Sequence, residues 1–367
     1  MSVTVLIGDC IARMRELPAL SADCCVTSPP YWGLRDYGTA RWDGGDPACD
    51  HKVHAAPRSE RPANGLEGGK ATVDAGSVRR GNCPCGARRV DQQKGLEETP
   101  EQYVAGMVAV FREVRRVLRD DGTLWLNLGD SYAVTHNGKG GASKSSAFND
   151  PGDAWRENVV NERRERGVSP GLKPKDLVGI PWRVAFALQA DGWYLRSDII
   201  WSKPNPMPES VTDRPTKAHE YVFLLAKSER YFFDAEAISE NAVDPSRKRL
   251  DRIGGSTGHE VRHSPGGMMG ASETRNARTV WDIATQPFSG AHFATMPPAL
   301  AARCIRAGSR EGGTVLDPFG GAGTTALVAA KLGRNAVLTE LNPDYAAMAA
   351  RRVESAMGLL CPVTVDG

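Results

Sequence analysis

Two short stretches of the sequence combine residue types that could do chemistry. The first is Ser28-Pro29-Pro30-Tyr31, which directly follows an apolar run ending at Thr27. Proline fixes φ and has no backbone N–H, so a serine hydroxyl and a carbonyl beside two prolines form a rigid group of hydrogen-bond acceptors. Such acceptors can hold the N–H bonds of an amino group and favour the pyramidal state, in which the nitrogen lone pair is available. An aromatic ring beside them can stack on the flat ring that carries this amino group.

The second stretch, Val-Leu-Asp-Pro-Phe-Gly-Gly-Ala-Gly-Thr-Thr at residues 315–325, predicts a turn that approaches a ligand closely. A buried strand ends at Asp317, and Gly320, Gly321 and Gly323 allow a tight turn before the next helix. The following strand ends about twenty residues later at Glu340, where acidic side chains of nucleotide-type sites accept hydrogen bonds from ribose hydroxyls. The turn lacks the lysine of a phosphate-binding loop. The pattern therefore favours a nucleoside cofactor over a purely structural connection.

Elements that could position these stretches alternate along the chain. The clearest helix begins after Thr99, with Pro100 in its first turn, and its apolar face has helical spacing up to an end at Asp121-Gly122. Strands are predicted over 3–7, 23–27, 123–128, 193–201, 220–226, 314–316 and 336–339, and further helices over 176–190, 296–307, 325–332 and 344–357. This alternation predicts an α/β fold with a doubly wound, mostly parallel sheet and loop-rich insertions.

Composition divides the chain into a core and irregular segments. We expect the core to comprise 1–37 with the Ser-Pro-Pro-Tyr stretch, 96–242 with a mobile loop at about 137–174, and 291–367 with the glycine turn; 38–95 is an insertion and 243–290 is a basic loop. The basic loop is rich in glycine and arginine, which suits contact with nucleic-acid phosphates. A solvated linker is the alternative for that loop.

Length and composition limit the classes of protein to be considered. The chain has 367 residues, a formal net charge of +2 and eight cysteines. This charge gives no strong global field, so any nucleic-acid surface must be local. No apolar run approaches the ~20 residues that cross a bilayer, and the first residues do not resemble a signal peptide. We expect a cytoplasmic protein that makes no membrane contact.

Four residues of the insertion are candidate metal ligands. Cys49, His51, Cys83 and Cys85 offer the donor set of a structural zinc site, and His54 is a spare candidate. The one-residue spacers within each pair are shorter than those of common zinc motifs. The insertion has few apolar residues of its own, which gives it a physical need for a metal. Free reduced cysteines remain the alternative.

The two chemical stretches together resemble a known family. Thr-Ser-Pro-Pro-Tyr-Trp before Asp-Pro-Phe-Gly-Gly-Ala-Gly-Thr-Thr and Thr-Glu-Leu-Asn is similar to the motifs of amino DNA methyltransferases, in the order of the beta class. These enzymes methylate N4 of cytosine or N6 of adenine. Residues 198–228 and 292–305 are also similar to segments of this family. The resemblance thus covers most of the chain.

This resemblance implies an S-adenosylmethionine-dependent enzyme with the Rossmann-like methyltransferase fold. It would transfer a methyl group to the exocyclic amino group of a base flipped out of double-stranded DNA, at a specific site. Ser28 favours N4 of cytosine, and N6 of adenine is the alternative, because both amines present the same donor pair to the same acceptors. A homodimer and a companion restriction nuclease are left open.

The resemblance also assigns roles to residues of the cofactor site. Asp317, Phe319, Gly321 and Gly323 are expected to line the cofactor, with Glu340 on its ribose. Asp9 is expected near the adenine amino group, although it could equally be a turn residue, and Asn342 could contact the adenine or cap the following helix. The methionine end is expected to meet Thr324 or Thr325 at a helix N-terminus and to be closed by Phe293, Ala294 and Thr295.

Other residues are predicted to act in catalysis and DNA binding. Ser28, Pro29, Pro30 and Tyr31 match the family's catalytic motif, and Lys203 and Asn205 are expected to face the flipped base. Contacts to DNA are expected from five residues of the basic loop: Arg247, Lys248, Arg249, Arg252 and Arg262.

Other functions are supported by fewer of the motifs in this sequence. Pro84-Cys85 and Glu157-Asn158-Val159 resemble the covalent cytosine C5 methyltransferases, but no apolar strand precedes Cys85. An RNA or protein methyltransferase could share the cofactor motif, and a catalytically silent DNA-binding module would tolerate changes to it. The order of motifs over the whole chain favours the DNA enzyme.

Overall fold

A central sheet organises the part of the chain that the structure describes. The structure is a computed structural model, and it describes residues 1–33, 37, 39–49, 83, 85–133, 171–242, 274–286 and 295–367. Its strands are β1 (Val3–Ile7), β2 (Ala22–Thr27), β3 (Arg41–Asp43), β4 (Arg88–Val90), β5 (Leu118–Leu128), β6 (Tyr194–Ser202), β7 (His219–Ala226), β8 (Glu240–Asn241), β9 (Thr274–Arg275), β10 (Val280–Asp282), β11 (Thr314–Asp317), β12 (Asn335–Glu340) and β13 (Val363–Asp366). Its helices are α1 (Cys10–Arg15), α2 (Pro100–Val117), α3 (Ile180–Ala190), α4 (Pro298–Gly308), α5 (Thr324–Lys331) and α6 (Pro343–Met357).

Nine strands form the central sheet in the order β10-β6-β7-β5-β2-β11-β12-β1-β13. Among these described strands, β7 is antiparallel to both of its neighbours, and the other neighbouring pairs are parallel. Crossovers between parallel strands place helices on both faces, where they bury the strands. The predicted doubly wound, mostly parallel α/β fold is confirmed.

The middle of the sheet brings distant parts of the chain together. Strand β2 lies between β5 and β11, with Cys24 opposite Val315 and Val26 opposite Trp125. On the other side of β11, Ile7 of β1 lies opposite Glu340 of β12. The carboxyl ends of parallel strands meet at one edge of a sheet. The loops that follow β1, β2, β11 and β12 therefore open on the same edge.

Apolar side chains fill a core on each face of this sheet. One cluster packs α4, α5 and α6 on the sheet, and the other packs α2 and α3. Tyr103 and Phe111 of α2 are fully buried, as is Trp125 of β5, which stacks on Trp281 at a ring distance of 6.3 Å. Fully burying a large apolar side chain stabilises a fold by about 1.5–3 kcal/mol. The helices on both faces therefore stabilise the strands from which the loops at the carboxyl edge extend.

The start of α2 is the one that its sequence predicts. The Thr99 side chain accepts a hydrogen bond from Gln102 N, and the Gln102 side chain accepts one from the Thr99 backbone, which completes a capping box. The predicted end at Asp121-Gly122 is wrong. The helix ends at Val117, because Leu118 already pairs with Ala22 across β5 and β2.

Helix α3 begins at Ile180, later than the predicted start at residue 176. Gly179 precedes it with φ 78° and supplies no side-chain cap. Instead, the Asp130 carboxylate accepts hydrogen bonds from the N–H groups of Gly179 and Ile180, both at 3.0 Å. A carboxylate at this end also interacts favourably with the helix dipole. The long-range cap is invisible to a local pattern.

Several short elements were not predicted, because so few residues show no recognisable hydrophobic period. These are α1, β10, β13 and the antiparallel pairs β3–β4 and β8–β9. Residues 274–286, which we assigned to the basic loop, include β10 and so reach the central sheet. Most of the predicted mobile loop at 137–174 and the rest of the basic loop lie outside the described residues. In the described part of the chain, no helix has the length and apolar character that a membrane crossing requires.

The packing of the glycine turn after β11 can be tested by comparing two glycine positions. Gly323 has φ +73°, and a Cβ there would lie 2.7 Å from Ala349 Cβ, whereas Gly333 has φ +75° and open space around it. We expect Gly333→Ala to lower the free energy of unfolding by about 1 kcal/mol through backbone strain. Gly323→Ala should cost a further ~1–3 kcal/mol through overpacking. Urea unfolding of both variants measures the difference, and equal losses would contradict the packing argument.

Candidate active site

One cavity at the carboxyl edge of the sheet brings the two chemical stretches together. Ser28 and Pro30 line it together with Asp317, Phe319 and Glu340. Gly321 and Thr295 complete the same wall, while Pro29 is buried behind it. Residues from opposite halves of the chain thus share one opening, as the sequence-based interpretation requires.

A buried hydrogen bond joins the strands that carry these stretches. Thr27 Oγ1 donates to Asp317 Oδ1 at 2.6 Å, and both side chains are almost fully buried. Asp317 Oδ1 also accepts from Phe319 N at 3.0 Å, which fixes the beginning of the glycine turn. Thr325 Oγ1 donates to the carbonyl of Val26 at 3.3 Å. The last residues of β2 are therefore held against both the end of β11 and the start of α5.

Burial sets the charge state of Asp317. The pKa of its carboxyl rises from 3.8 to about 7, mainly because burial disfavours the anion, although the hydrogen bond from Thr27 opposes this shift. A cationic ligand in the cavity would favour the ionised form. The site can therefore exchange a proton for a cation near neutral pH.

Glu340 closes the turn from the next strand. Its Oε2 accepts from Gly321 N at 2.7 Å, and its Oε1 accepts from Asn342 N at 2.8 Å. Burial raises the pKa of this carboxyl, and the two N–H donors oppose the rise. Each carboxylate oxygen has further lone pairs, so the side chain can still accept from hydroxyl groups of a ligand.

The other predicted cofactor residues differ in their positions, and some of them cap helices. Asp9 lines the cavity and also caps α1, because its Oδ1 accepts from Ala12 N at 3.0 Å. Asn342 caps α6 through a hydrogen bond from Asp344 N. Phe293 and Ala294 lie outside the described residues.

The two threonines at the start of α5 differ in their partners. Both line the cavity. Arg352 Nη1 donates to Thr324 Oγ1 at 2.9 Å and so brings a guanidinium group to this helix N-terminus. Thr325 is engaged with β2, as described above. Gly323 precedes them as the helix cap and lies against Ala349 rather than among the cavity-lining residues.

The Tyr31 hydroxyl lies in a polar network that the sequence analysis did not foresee. It lies 2.7 Å from Glu220 Oε2, 3.3 Å from Ser28 Oγ and 3.1 Å from Asn127 Oδ1. Asn127 Nδ2 donates to the same Glu220 oxygen at 3.1 Å. Burial raises the pKa of Tyr31 well above its usual value, and the neighbouring Glu220 charge raises it further. The phenol therefore stays protonated and donates to Glu220.

The backbone of the proline stretch is held from the other side. Tyr103 Oη donates to the Pro30 carbonyl at 3.0 Å. A Cβ on Gly129 would lie 2.5 Å from the Tyr31 ring, and one on Gly95 would lie 2.9 Å from the Tyr31 carbonyl, so both close approaches require glycine. The fixed loop is thus a product of contacts from β5, α2 and the insertion, in addition to its own prolines.

Predicted DNA contacts are only partly described. Lys203 Nζ pairs with Glu220 and lies 4.4 Å from the centre of the Trp201 ring. The Asn205 amide exchanges hydrogen bonds with the backbone of Thr285, at 2.9 Å and 3.2 Å. Both side chains therefore have structural partners. Their contact with a flipped base stays a prediction, as do the roles of Arg247, Lys248, Arg249, Arg252 and Arg262, which lie outside the described residues.

Two arginines at the end of the basic loop, Arg275 and Arg278, and Arg303 of α4 are already paired. Arg275, Arg278 and Arg303 all contact the Glu240 carboxylate. The guanidinium of Arg303 and its neighbours lowers the pKa of Glu240 to about 2. This carboxylate therefore remains charged and offsets part of the local positive charge.

The insertion contributes to the cavity and also contains the cysteine cluster. Its residues Thr39, Gln92, Gln93 and Lys94 line the cavity together with the preceding Tyr37, a role that no motif indicated. The thiol sulfurs of Cys49, Cys83 and Cys85 all lie within 4.8 Å of one another. The other predicted ligand, His51, and the spare His54 lie outside the described residues.

Comparison with known proteins finds sequence matches over most of the chain. A family model described as DNA methylase matches residues 22–351. The type II methyltransferase M.SmaI of Serratia marcescens is 41% identical over 357 residues, which cover 96% of this chain and 91% of that protein. M.Cfr9I of Citrobacter freundii, also a type II methyltransferase, is 40% identical and covers 96% of this chain and 87% of its own.

Solved structures share the fold. TTHA0409 of Thermus thermophilus, complexed with S-adenosyl-L-methionine, has a TM-score of 0.53 at 20% identity and covers 99% of this chain and 98% of that one. The cytosine-N4-specific PvuII DNA methyltransferase has a TM-score of 0.55 at 15% identity, with 99% and 95% covered. At these identities the likeness establishes the fold alone.

The raised pKa of Asp317 predicts a pH-dependent stability. A folded-state pKa of about 7 against 3.8 means that folding favours the protonated acid, so its contribution is complete below pH 3.8 and is lost as the pH rises to about 7. Relative to Asp317→Asn, the wild-type protein without added ligand should lose up to about 4 kcal/mol between these limits. Urea unfolding of both proteins at several pH values measures this, and parallel pH profiles would refute it.

Proposed function

The chain belongs to the DNA methylase family that comprises the N4-cytosine and N6-adenine enzymes, and we propose that it methylates N4 of cytosine at a specific site in duplex DNA. The observation that carries this proposal is the shared cavity, which Ser28 lines together with Phe319 and Glu340. Methyl transfer needs acceptors for an amine and a binding site for a methyl donor within reach of each other. Both are provided by residues on one edge of the sheet.

We propose S-adenosylmethionine as the methyl donor, and the residues present fit it. When bound, it supplies an electrophilic methyl group on a sulfonium sulfur. Glu340 can accept hydrogen bonds from ribose hydroxyls, and the buried Asp317 carboxyl suits the cationic methionine end, because a nearby positive charge offsets the cost of its ionisation. Thr324 and Arg352 lie at the N-terminus of α5, where a carboxylate is stabilised by both the helix dipole and the guanidinium. Solved TTHA0409 holds the same molecule in the same fold.

The Ser-Pro-Pro-Tyr loop would hold the target amino group. Its nitrogen is a weak nucleophile, because the lone pair is delocalised into the base. Hydrogen bonds from its N–H groups to acceptors of this loop, such as the hydroxyl of the cavity-lining Ser28, would favour the pyramidal nitrogen, whose lone pair then points toward the methyl group. Rigid positioning of this kind needs no covalent intermediate with the protein and no strong base.

Glu220 and Asn127 would act as positioning residues for this loop. The Tyr31 phenol donates to Glu220, and Ser28 lies on the other side of the same hydroxyl. Lys203 forms an ion pair with Glu220, so this partly buried carboxylate is paired rather than isolated. A base extruded from the duplex could then stack on the Tyr31 ring, as enzymes that act on buried base atoms require.

Ser28, the first residue of the Ser-Pro-Pro-Tyr loop, favours cytosine as the target base. Family members with serine at the first motif position more often act on N4 of cytosine, and Ser28 occupies that position. The acceptor geometry would also suit N6 of adenine, so the base has to be measured. Duplex binding would rest on the five basic residues of the loop at 247–262, whose phosphate contacts carry no sequence information.

Identification of the modified nucleoside tests this function. Purified protein is incubated with duplex DNA of mixed sequence and S-adenosylmethionine carrying a labelled methyl group, and the digested nucleosides are separated by mass. We expect labelled N4-methylcytosine. Labelled N6-methyladenine would overturn the choice of base, and label on RNA or protein with none on DNA would overturn the function.

Substitution of Tyr31 separates stacking from cofactor binding. We expect Tyr31→Ala to slow methyl transfer about 10- to 100-fold, the range for loss of one stacked base. Its affinity for S-adenosylmethionine, measured by titration calorimetry, should be unchanged, because Tyr31 is not among the residues that line the cavity.

The matched comparison is Glu340→Ala on the other wall. We expect it to weaken S-adenosylmethionine binding first, with transfer recovering at high cofactor concentration. If Tyr31→Ala and Glu340→Ala lose binding and transfer equally while both stay folded, the assigned roles are wrong.

A further inference from the structure

We propose that Cys49, Cys83 and Cys85 bind a structural zinc ion, and that this ion fixes the part of the insertion that forms one wall of the catalytic cavity. The metal site itself is independent of the proposed function. Only its effect on methyl transfer rests on that function.

The spacing of the sulfurs fits a metal. Cys49 Sγ and Cys83 Sγ are 3.7 Å apart, and all three sulfurs lie within 4.8 Å of one another. A tetrahedral zinc with Zn–S bonds of about 2.3 Å separates its sulfurs by about 3.8 Å. The three thiolates would thus fill three of the four positions, and zinc takes its remaining ligand from a side chain or water.

The backbone around the sulfurs is arranged as a compact loop. Cys83 N donates to the Ala87 carbonyl at 2.6 Å, and Gly86 N donates to the Cys83 carbonyl at 2.8 Å. Cys83 and Cys85 are therefore carried by one short turn that its own backbone hydrogen bonds keep compact.

The two cysteine-bearing segments pack too closely to move independently. Gly45 approaches Ala87 so closely that a Cβ on Gly45 would lie 2.6 Å from Ala87 N. A turn then brings Cys49 to the cluster, with Cys49 N donating to the Asp46 carbonyl at 3.0 Å. The pair β3–β4 has only three residues in each strand, and an isolated hairpin of that size is marginal in water. A metal ion at the end of this pair would supply the missing stability.

The opposite end of β3–β4 reaches the cavity. The Gln93 side chain accepts from Tyr37 N at 2.7 Å, and Thr39 Oγ1 donates to Asp91 Oδ1 at 3.1 Å. Tyr37, Thr39 and Gln93 all line the cavity. The cysteines follow β3 and precede β4, whereas these residues precede β3 and follow β4. One short ladder therefore connects the proposed metal to the cavity wall.

Metal analysis tests the site directly. The full-length protein, purified under reducing conditions from zinc-supplemented cells and dialysed, should contain about one zinc per chain by elemental analysis. Cys83→Ser and Cys85→Ser should each lose most of it. The matched control is Cys361→Ser, since Cys361 is buried in the core and lies outside the cluster. It should retain the metal.

A second measurement keeps the proposal testable if the variants do not fold. Cobalt-substituted wild-type protein should have the near-ultraviolet absorption of thiolate-to-cobalt charge transfer. Wild-type protein without stoichiometric zinc, or a disulfide in place of free thiols at Cys49 and Cys83, would overturn the site. So would variants that are folded and still hold zinc.

Activity then distinguishes the two proposals. Removal of zinc by a chelator should slow methyl transfer and weaken cofactor binding, and added zinc should restore both. If zinc is present but its removal leaves transfer unchanged, the link to the cavity wall is wrong. If the zinc-loaded protein transfers no methyl group to DNA, the proposed function fails and the metal site stands.

Discussion

The hydrogen bond from Thr27 to Asp317 is the constraint on which the rest of the site depends. It joins two buried residues that are 290 positions apart in the sequence, each at the end of a neighbouring strand. The residue after Thr27 begins the acceptor loop, and the residues after Asp317 form the glycine turn. A buried carboxyl without this partner would lose a donor in a low-dielectric environment, where unsatisfied groups are costly. The same bond therefore fixes the two stretches relative to each other and gives the Asp317 carboxyl at the cavity a hydrogen-bond donor.

The cavity keeps its acidic groups in place with neutral donors of its own chain. Asp317 is held by a hydroxyl and a backbone N–H, and Glu340 by two backbone N–H groups. Glu220 instead is paired with a lysine and bound to a phenol. Burial raises the pKa values of the first two acids. A cation bound beside Asp317 would offset the cost of ionising this buried carboxyl.

Local patterns predicted those parts of the molecule whose physics is local. The start of α2 after Thr99, the glycine turn and the strand ends at Asp317 and Glu340 follow from residue types and spacing over a few positions. The end of α2 did not, because the pairing of Leu118 with a strand far away in sequence decides it. Asn127 and Glu220 were not predicted as partners of Tyr31, since they lie 96 and 189 positions away in the sequence and no local spacing connects them to it. The cavity-lining residues of the insertion were missed for a similar reason: their position depends on contacts with the proline loop rather than on a periodicity.

The two outer strands of the central sheet affect how readily a second chain can pair with this protein in a crowded solution. Strands β10 and β13 have three and four residues, and each ends in an aspartate. A long, flat outer strand with free backbone groups is a template on which a second chain can add by β-pairing. Short strands with terminal charges offer few consecutive hydrogen bonds to an incoming chain, and Arg13 already binds Asp366 at 2.9 Å. In the part of the chain that the structure describes, both margins of the sheet therefore offer little template for the addition of a second chain.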